Sequence, residues 1–144
     1  TGVLSPTELK SRFEVYSEQY LLSIEVEARL VIDMARTMIC PAATAYLASL
    51  ASTAQSMSAM GIELDSTIPG FVASRLNEMI GATARLEIAL ATDESTSTEE
   101  HMQFFATDIR ALMDEVRAAA DALEGYVSDE FWPLPKYQEM LYIK

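Results

Sequence analysis

The chain reads as an all-α antiparallel helical bundle, built on one long helix kinked by a proline and closed by an extended Trp-Pro-x-Pro C-terminal tail. Three observations predict it. Half of the residues are hydrophobic, Gly and Pro number only five each, and Ala, Leu, Met and Glu abound, a composition suited to helix. Apolar residues recur at steps of three and four through three long segments, the period of a helix with one side buried. The polar stretches between them are short, which makes successive helices antiparallel neighbours. The 144 residues suffice for one domain with a real core, taken as 1–144.

Residues 5–60 form the organising element. Their charges at Glu14, Glu18, Glu25, Arg29 and Arg36 are spaced 4, 7, 4 and 7 apart, one narrow stripe along a helix. Tyr20, Ile24, Ala28, Val31, Ala35 and Met38, then Ala43, Leu47, Leu50, Ala54 and Met57, fill the rest of the girth. Such a helix is expected to be covered on most sides. Ser5-Pro6-Thr7-Glu8 supplies a capping serine, a proline at the first helical position and a glutamate placed for a capping box. Gly61 suits a left-handed residue just past the end. Pro41 lacks an amide hydrogen and clashes with the preceding turn, so a kink or break is expected between Thr37 and Pro41.

The second helix begins near Ser66 or Thr67, with Pro69 in its first turn, and carries the seam Val72, Leu76, Met79, Thr83, Leu86 and Leu90. A polar linker at 92–100 offers capping boxes from Thr96 with Glu99 or Ser97 with Glu100. The third helix shows Met102, Phe105, Ile109, Leu112, Val116, Ala119, Leu123 and Tyr126 on one side, and Gly125 weakens its end. These two helices are shorter than the first. They are expected to cover the half after Pro41 and part of the half before it, leaving Phe13, Tyr16, Tyr20 and Ile24 over for a further contact. In the tail, Pro133 and Pro135 favour an extended run. Phe131, Trp132, Leu134, Tyr137, Leu141 and Tyr142 are expected to strap it onto the bundle or onto a neighbour.

Net charge is −12, of which −10 lies in residues 61–144. Such a surface repels phosphate, which argues against nucleic acid and anionic membrane as partners. No apolar run reaches about 18 residues, so no bilayer-spanning segment is expected, and the N-terminus lacks a signal-peptide pattern. Cys40 is the sole cysteine, which excludes an internal disulfide and suits a reducing, cytoplasmic setting; it reads as a packed residue. The start at Thr1-Gly2 suits a processed protein or a piece of a longer one.

Catalytic patterns are missing. A di-metal carboxylate bundle needs Glu-x-x-His pairs, but His101 is the sole histidine and Thr98 stands three residues before it. One His and one Cys far apart cannot close a zinc site. There is no Gly-rich phosphate loop and no Gly-x-Ser-x-Gly elbow, and a Cys–His nucleophile would require Cys40 and His101 to meet. No catalytic, cofactor-binding or metal-ligating residue is assigned. Glu27 stands off the charged stripe, on the side of Tyr20, Ile24 and Val31. It is expected to form a structural pair with one of Arg75, Arg85, Arg110 or Arg117, rather than to act as an acid.

Two segments together carry a family resemblance: SIEVEARLVIDMARTMICPAATAY at 23–46 and DEFWPLPKYQEMLY at 129–142. Through Glu27, Ala28, Met34, Ala35, Ile39, Pro41, Ala42 and Tyr46, then Trp132, Pro133, Pro135, Tyr137, Leu141 and Tyr142, the chain resembles the C-terminal region of type III glutamine synthetases, the large bacterial form. Cys40, Lys136 and the Gln138-Glu139-Met140 run depart from that pattern. The resemblance implies a ligase that condenses glutamate with ammonia through a γ-glutamyl phosphate, using ATP and divalent metal held in an upstream catalytic domain. None of those ligand motifs is in these residues. The implied role is structural: packing on the catalytic domain and on other subunits of a large homo-oligomer. A free-standing helical adaptor that binds a partner helix is the competing reading, and a small-ligand bundle enzyme is a remote third.

Overall fold

The computed structural model describes residues 2–3 and 5–135. Helix α1, Pro6–Met34, runs through a π-helical turn, Ala35–Ile39, into α2, Cys40–Ala59. Helix α3 is Thr67–Ala91; α4, Thr98–Phe104, passes through a second π turn, Phe105–Ile109, into α5, Arg110–Glu124. Among the described residues all regular structure is helical, as the composition predicts.

The starts and stops have local causes. Glu8 donates its amide to the Ser5 hydroxyl at 3.2 Å while Ser5 donates its amide back to the Glu8 carboxylate at 3.2 Å, the expected capping box. Gly61 has φ +80°, the left-handed conformation that ends a helix at little cost. At α3, neither Ser66 nor Thr67 caps through its own side chain. Asp65 takes that role, accepting from the Thr67 amide at 2.7 Å and from its hydroxyl. At α4, Ser97 caps the Glu100 amide, but the Glu100 carboxylate turns to Thr96 instead of closing the box.

The long helix does not break at Pro41. The Cys40 amide bonds back to the Ala35 carbonyl, the longer loop of a π turn, which inserts one residue into the helix. The extra residue has a packing consequence. The buried positions Ile24, Ala28, Ile32, Ala35, Ile39 and Ala43 advance by 4, 4, 3, 4 and 4, and would drift around an unbroken α-helix by about 100°. One inserted residue removes that drift and keeps both halves facing the same neighbours.

Those neighbours are α3 and α5. Helix α3 runs back along α2 and α1, with Arg36 paired to Glu87. Helix α5 returns antiparallel to α3: Arg85 meets Glu115 at 2.6 Å and Phe71 stacks near Tyr126, ring centres 4.2 Å apart. The core is Val72, Leu76, Met79 and Leu86 from α3, Phe105, Ile109, Met113, Val116, Ala119 and Leu123 from the third segment, and the small face of the long helix. Met113, off the expected seam, is buried, whereas Tyr126 is exposed and Val127 takes its place inside.

The long helix is covered less than expected. From Ser5 to Tyr16 every described residue is exposed, and α2 buries only Ala43. The later helices therefore cover the middle of the post rather than its half after Pro41. Phe13 and Tyr16 are left over as expected, but Ile24 is buried and Tyr20 packs against the core. Helix Pro6–Ala59 also contains an 18-residue window of mean hydropathy 1.2, long and apolar enough by length and composition to cross a membrane. The core helix of a soluble protein passes the same test, so this does not overturn the expectation of no bilayer-spanning segment. That expectation rests on a continuous apolar run, a stricter demand than a window average that tolerates two charged residues.

Candidate functional site

The residues singled out from the sequence do not converge on one chemical centre. Glu27 is exposed and forms no hydrogen bond or ion pair among the described residues, so the expected structural pair is corrected. It lies high enough on the flank of α1 to reach water, and a solvated carboxylate needs no partner. Arg75 pairs with Glu78, Arg85 with Glu115 and Arg117 with Asp114.

Cys40 is half-buried in the π-turn junction, and burial raises its thiol pKa, partly offset by Arg36. A thiol so placed is held in its unreactive protonated form. His101 faces Asp93 instead, Nδ1 to Oδ2 at 2.5 Å, a close approach that lacks the alignment of a hydrogen bond. The other Asp93 oxygen accepts from the Ser95 amide at 2.9 Å. His101 also meets the Phe105 ring edge-on. These contacts pin the linker onto α4. Among the described residues no group of three His, Cys, Asp or Glu is placed to hold a metal ion.

What the fold does present is apolar surface in three places. Leu9, Phe13 and Tyr16 stand 55%, 49% and 73% exposed on the projecting start of α1. A groove of about 640 Å³ lies between α2 and α3, floored by Leu47, Leu50, Ala54, Ile68 and Pro69, with Leu64 and Asp65 at its edge. The third is the outward side of α1, where Val15, Leu22, Val26 and Leu30 are each at least half exposed. Sequence reasoning located the first of these. It missed the outward side because α1 is apolar at several angles.

The tail is strapped to the bundle as far as Leu134. Phe131 lies against Tyr46, ring centres 6.0 Å apart, and Trp132 and Leu134 pack on the core. The Trp132 indole N–H is buried without a hydrogen-bond acceptor among the described residues. Tyr137, Leu141 and Tyr142 lie outside the described residues.

The described residues form a helical bundle with open apolar faces. Comparison with known proteins narrows this. The family described as "Glutamine synthetase C-terminal domain" matches residues 1–58. The whole chain aligns with the type-3 glutamine synthetase of Dictyostelium discoideum at 33% identity and, over 99% of its length, with the glutamine synthetase of Bacteroides fragilis at 27%. The chain is thus similar to the glutamine synthetase C-terminal domain family over residues 1–58 and to glutamine synthetases over its whole length, as the resemblance implied. It spans about a fifth of the length of these relatives, 21% in each case. The family match ends at residue 58, so the Trp-Pro-x-Pro tail is supported by the full-length alignments alone. Since one relative comes from Dictyostelium discoideum, a bacterial origin does not follow from the family.

Proposed function

We propose that the chain is the non-catalytic structural and assembly part of a glutamate–ammonia ligase that works in the cytoplasm. On this reading the ATP, divalent metal and glutamate ligands lie in the remaining four-fifths of the protein. Phe13, Tyr16 and the groove between α2 and α3 pack against that remainder and help hold a homo-oligomer together. The observation that carries the reading is the pairing of full-length similarity to glutamine synthetases with unfilled apolar surface on the family-matched helix. Patches of this kind on soluble proteins mark contacts.

The test is a chimera of the Dictyostelium discoideum enzyme in which this chain replaces the aligned segment. Assembly to the parental size, lost when Phe13→Asp and Tyr16→Asp are introduced together, is the expected result. A chimera that assembles equally well with both substitutions would overturn the assignment of that face. Tyr20 is unsuited to such a test because it packs on the core.

A free-standing adaptor is the second reading, favoured by the groove between α2 and α3. It predicts a native polypeptide of 16 kDa on an immunoblot of the source cell, whereas the ligase reading predicts a band several times larger.

A further inference from the structure

The outward side of α1 carries a second, exposed seam, of which only Leu30 borders a cavity shared with α5. Val15, Gln19, Leu22, Val26 and Leu30 follow one another at steps of 4, 3, 4 and 4. All are exposed, on the side of α1 away from the buried Ser17, Ile24, Ala28 and Ile32. Arg12 closes one end, three residues before Val15, and Asp33 the other, three after Leu30. Both are exposed, and neither forms an ion pair among the described residues.

This arrangement reads nearly the same from either end, with opposite charges at its two tips. We infer that α1 pairs antiparallel with α1 of a second copy of this chain along the seam. In that register Arg12 faces the partner's Asp33, Val15 faces the partner's Leu30, Gln19 lies over the partner's Val26, and the two-fold axis passes beside Leu22. Both charged tips are then neutralised twice over. The parallel alternative would set Arg12 against Arg12 and Asp33 against Asp33, so complementarity at the ends selects the antiparallel pairing. An isologous contact of this kind closes on itself and does not propagate. The inference deepens the assembly reading and rests on it for the presence of a second copy.

Cysteine crosslinking with a short bismaleimide tests the register in the 144-residue chain, with Cys40→Ser as background. Leu22→Cys places the two thiols beside the axis, within about 2 Å along the helix direction; Val15→Cys separates them by roughly 22 Å along it. The expected result is a crosslinked dimer with Leu22→Cys and its loss with Val15→Cys. Crosslinking at both positions, or at neither, overturns the pairing. Sedimentation supplies a second measurement: Arg12→Asp and Asp33→Arg each weaken the dimer, and the double swap restores it. Failure of the swap to restore it also overturns the register. If crosslinking fails while the chimera assembles, this pairing alone falls; if both fail, the assembly reading falls with it.

Discussion

Arg36, in the π turn of the long helix, donates to the Glu87 carboxylate on α3. The pair joins the irregular turn to the helix packed beside it. The hydrogen bond from Arg36 draws the Glu87 pKa below its ordinary value, and the same contact holds that of Arg36 above its own. Both side chains are about half exposed, so water and salt screen the attraction. Glu87→Gln is expected to lower stability slightly at low salt, with the difference vanishing at high salt; denaturant midpoints at two ionic strengths check this.

Acid should loosen the helix starts before it reaches the core. Thr67, by hydroxyl and then amide, lowers the Asp65 pKa, and Thr96, by amide and then hydroxyl, lowers that of Glu100. A carboxylate whose folded pKa lies below its unfolded one contributes stability above the unfolded value. That contribution is lost as pH falls through the folded value. Asp65→Asn should therefore reduce stability at neutral pH and flatten the decline below the ordinary carboxylate range, followed by circular dichroism.

Pro41→Ala separates two causes of the π turn. Pro41 is exposed, and alanine restores a backbone donor and better helix propensity. If packing of Ile24, Ala28 and Ile32 together with Ile39 and Ala43 holds the turn, the thermal midpoint rises. A fall would mean that the proline itself sets the alignment.

Two leucines should respond oppositely. Leu86 is fully buried, so Leu86→Ala should cost about 2–5 kcal/mol. Leu22 is 63% exposed, so Leu22→Ala should change monomer stability by no more than about 0.5 kcal/mol. Urea unfolding at dilute protein reads both.

Phe131→Ala removes the ring that lies on Tyr46 and should cost about 1–3 kcal/mol. Trp132, the sole tryptophan, reports the tail directly. Its fluorescence should shift to the red in the variant if the strap loosens.

Period and capping chemistry make the three helical segments, the seam on α3 and the left-handed Gly61 legible in the sequence. These are local, depending on residues within a turn or two of one another. The Asp65 cap escapes because Ser66, Thr67 and Asp65 are all competent oxygens, and backbone geometry chooses among them. Glu27 misleads because its angle on the helix suggests burial; Arg117 of α5 lines the same cavity but pairs with Asp114 instead.

The helical class, the long post and the lack of a metal-ligand pattern follow from composition and spacing in the chain itself. The side of α1 that turns inward does not. Alanines and β-branched residues occupy several angles around that helix, so periodicity offers more than one apolar face. The close approach of α3 and α5 favours the one built from Ala28, Ala35 and Ala43, whose small side chains let the backbones come together. That choice leaves Leu22, Val26 and Leu30 outside. It also requires the π turn, since only an added residue brings the faces before and after Pro41 into line.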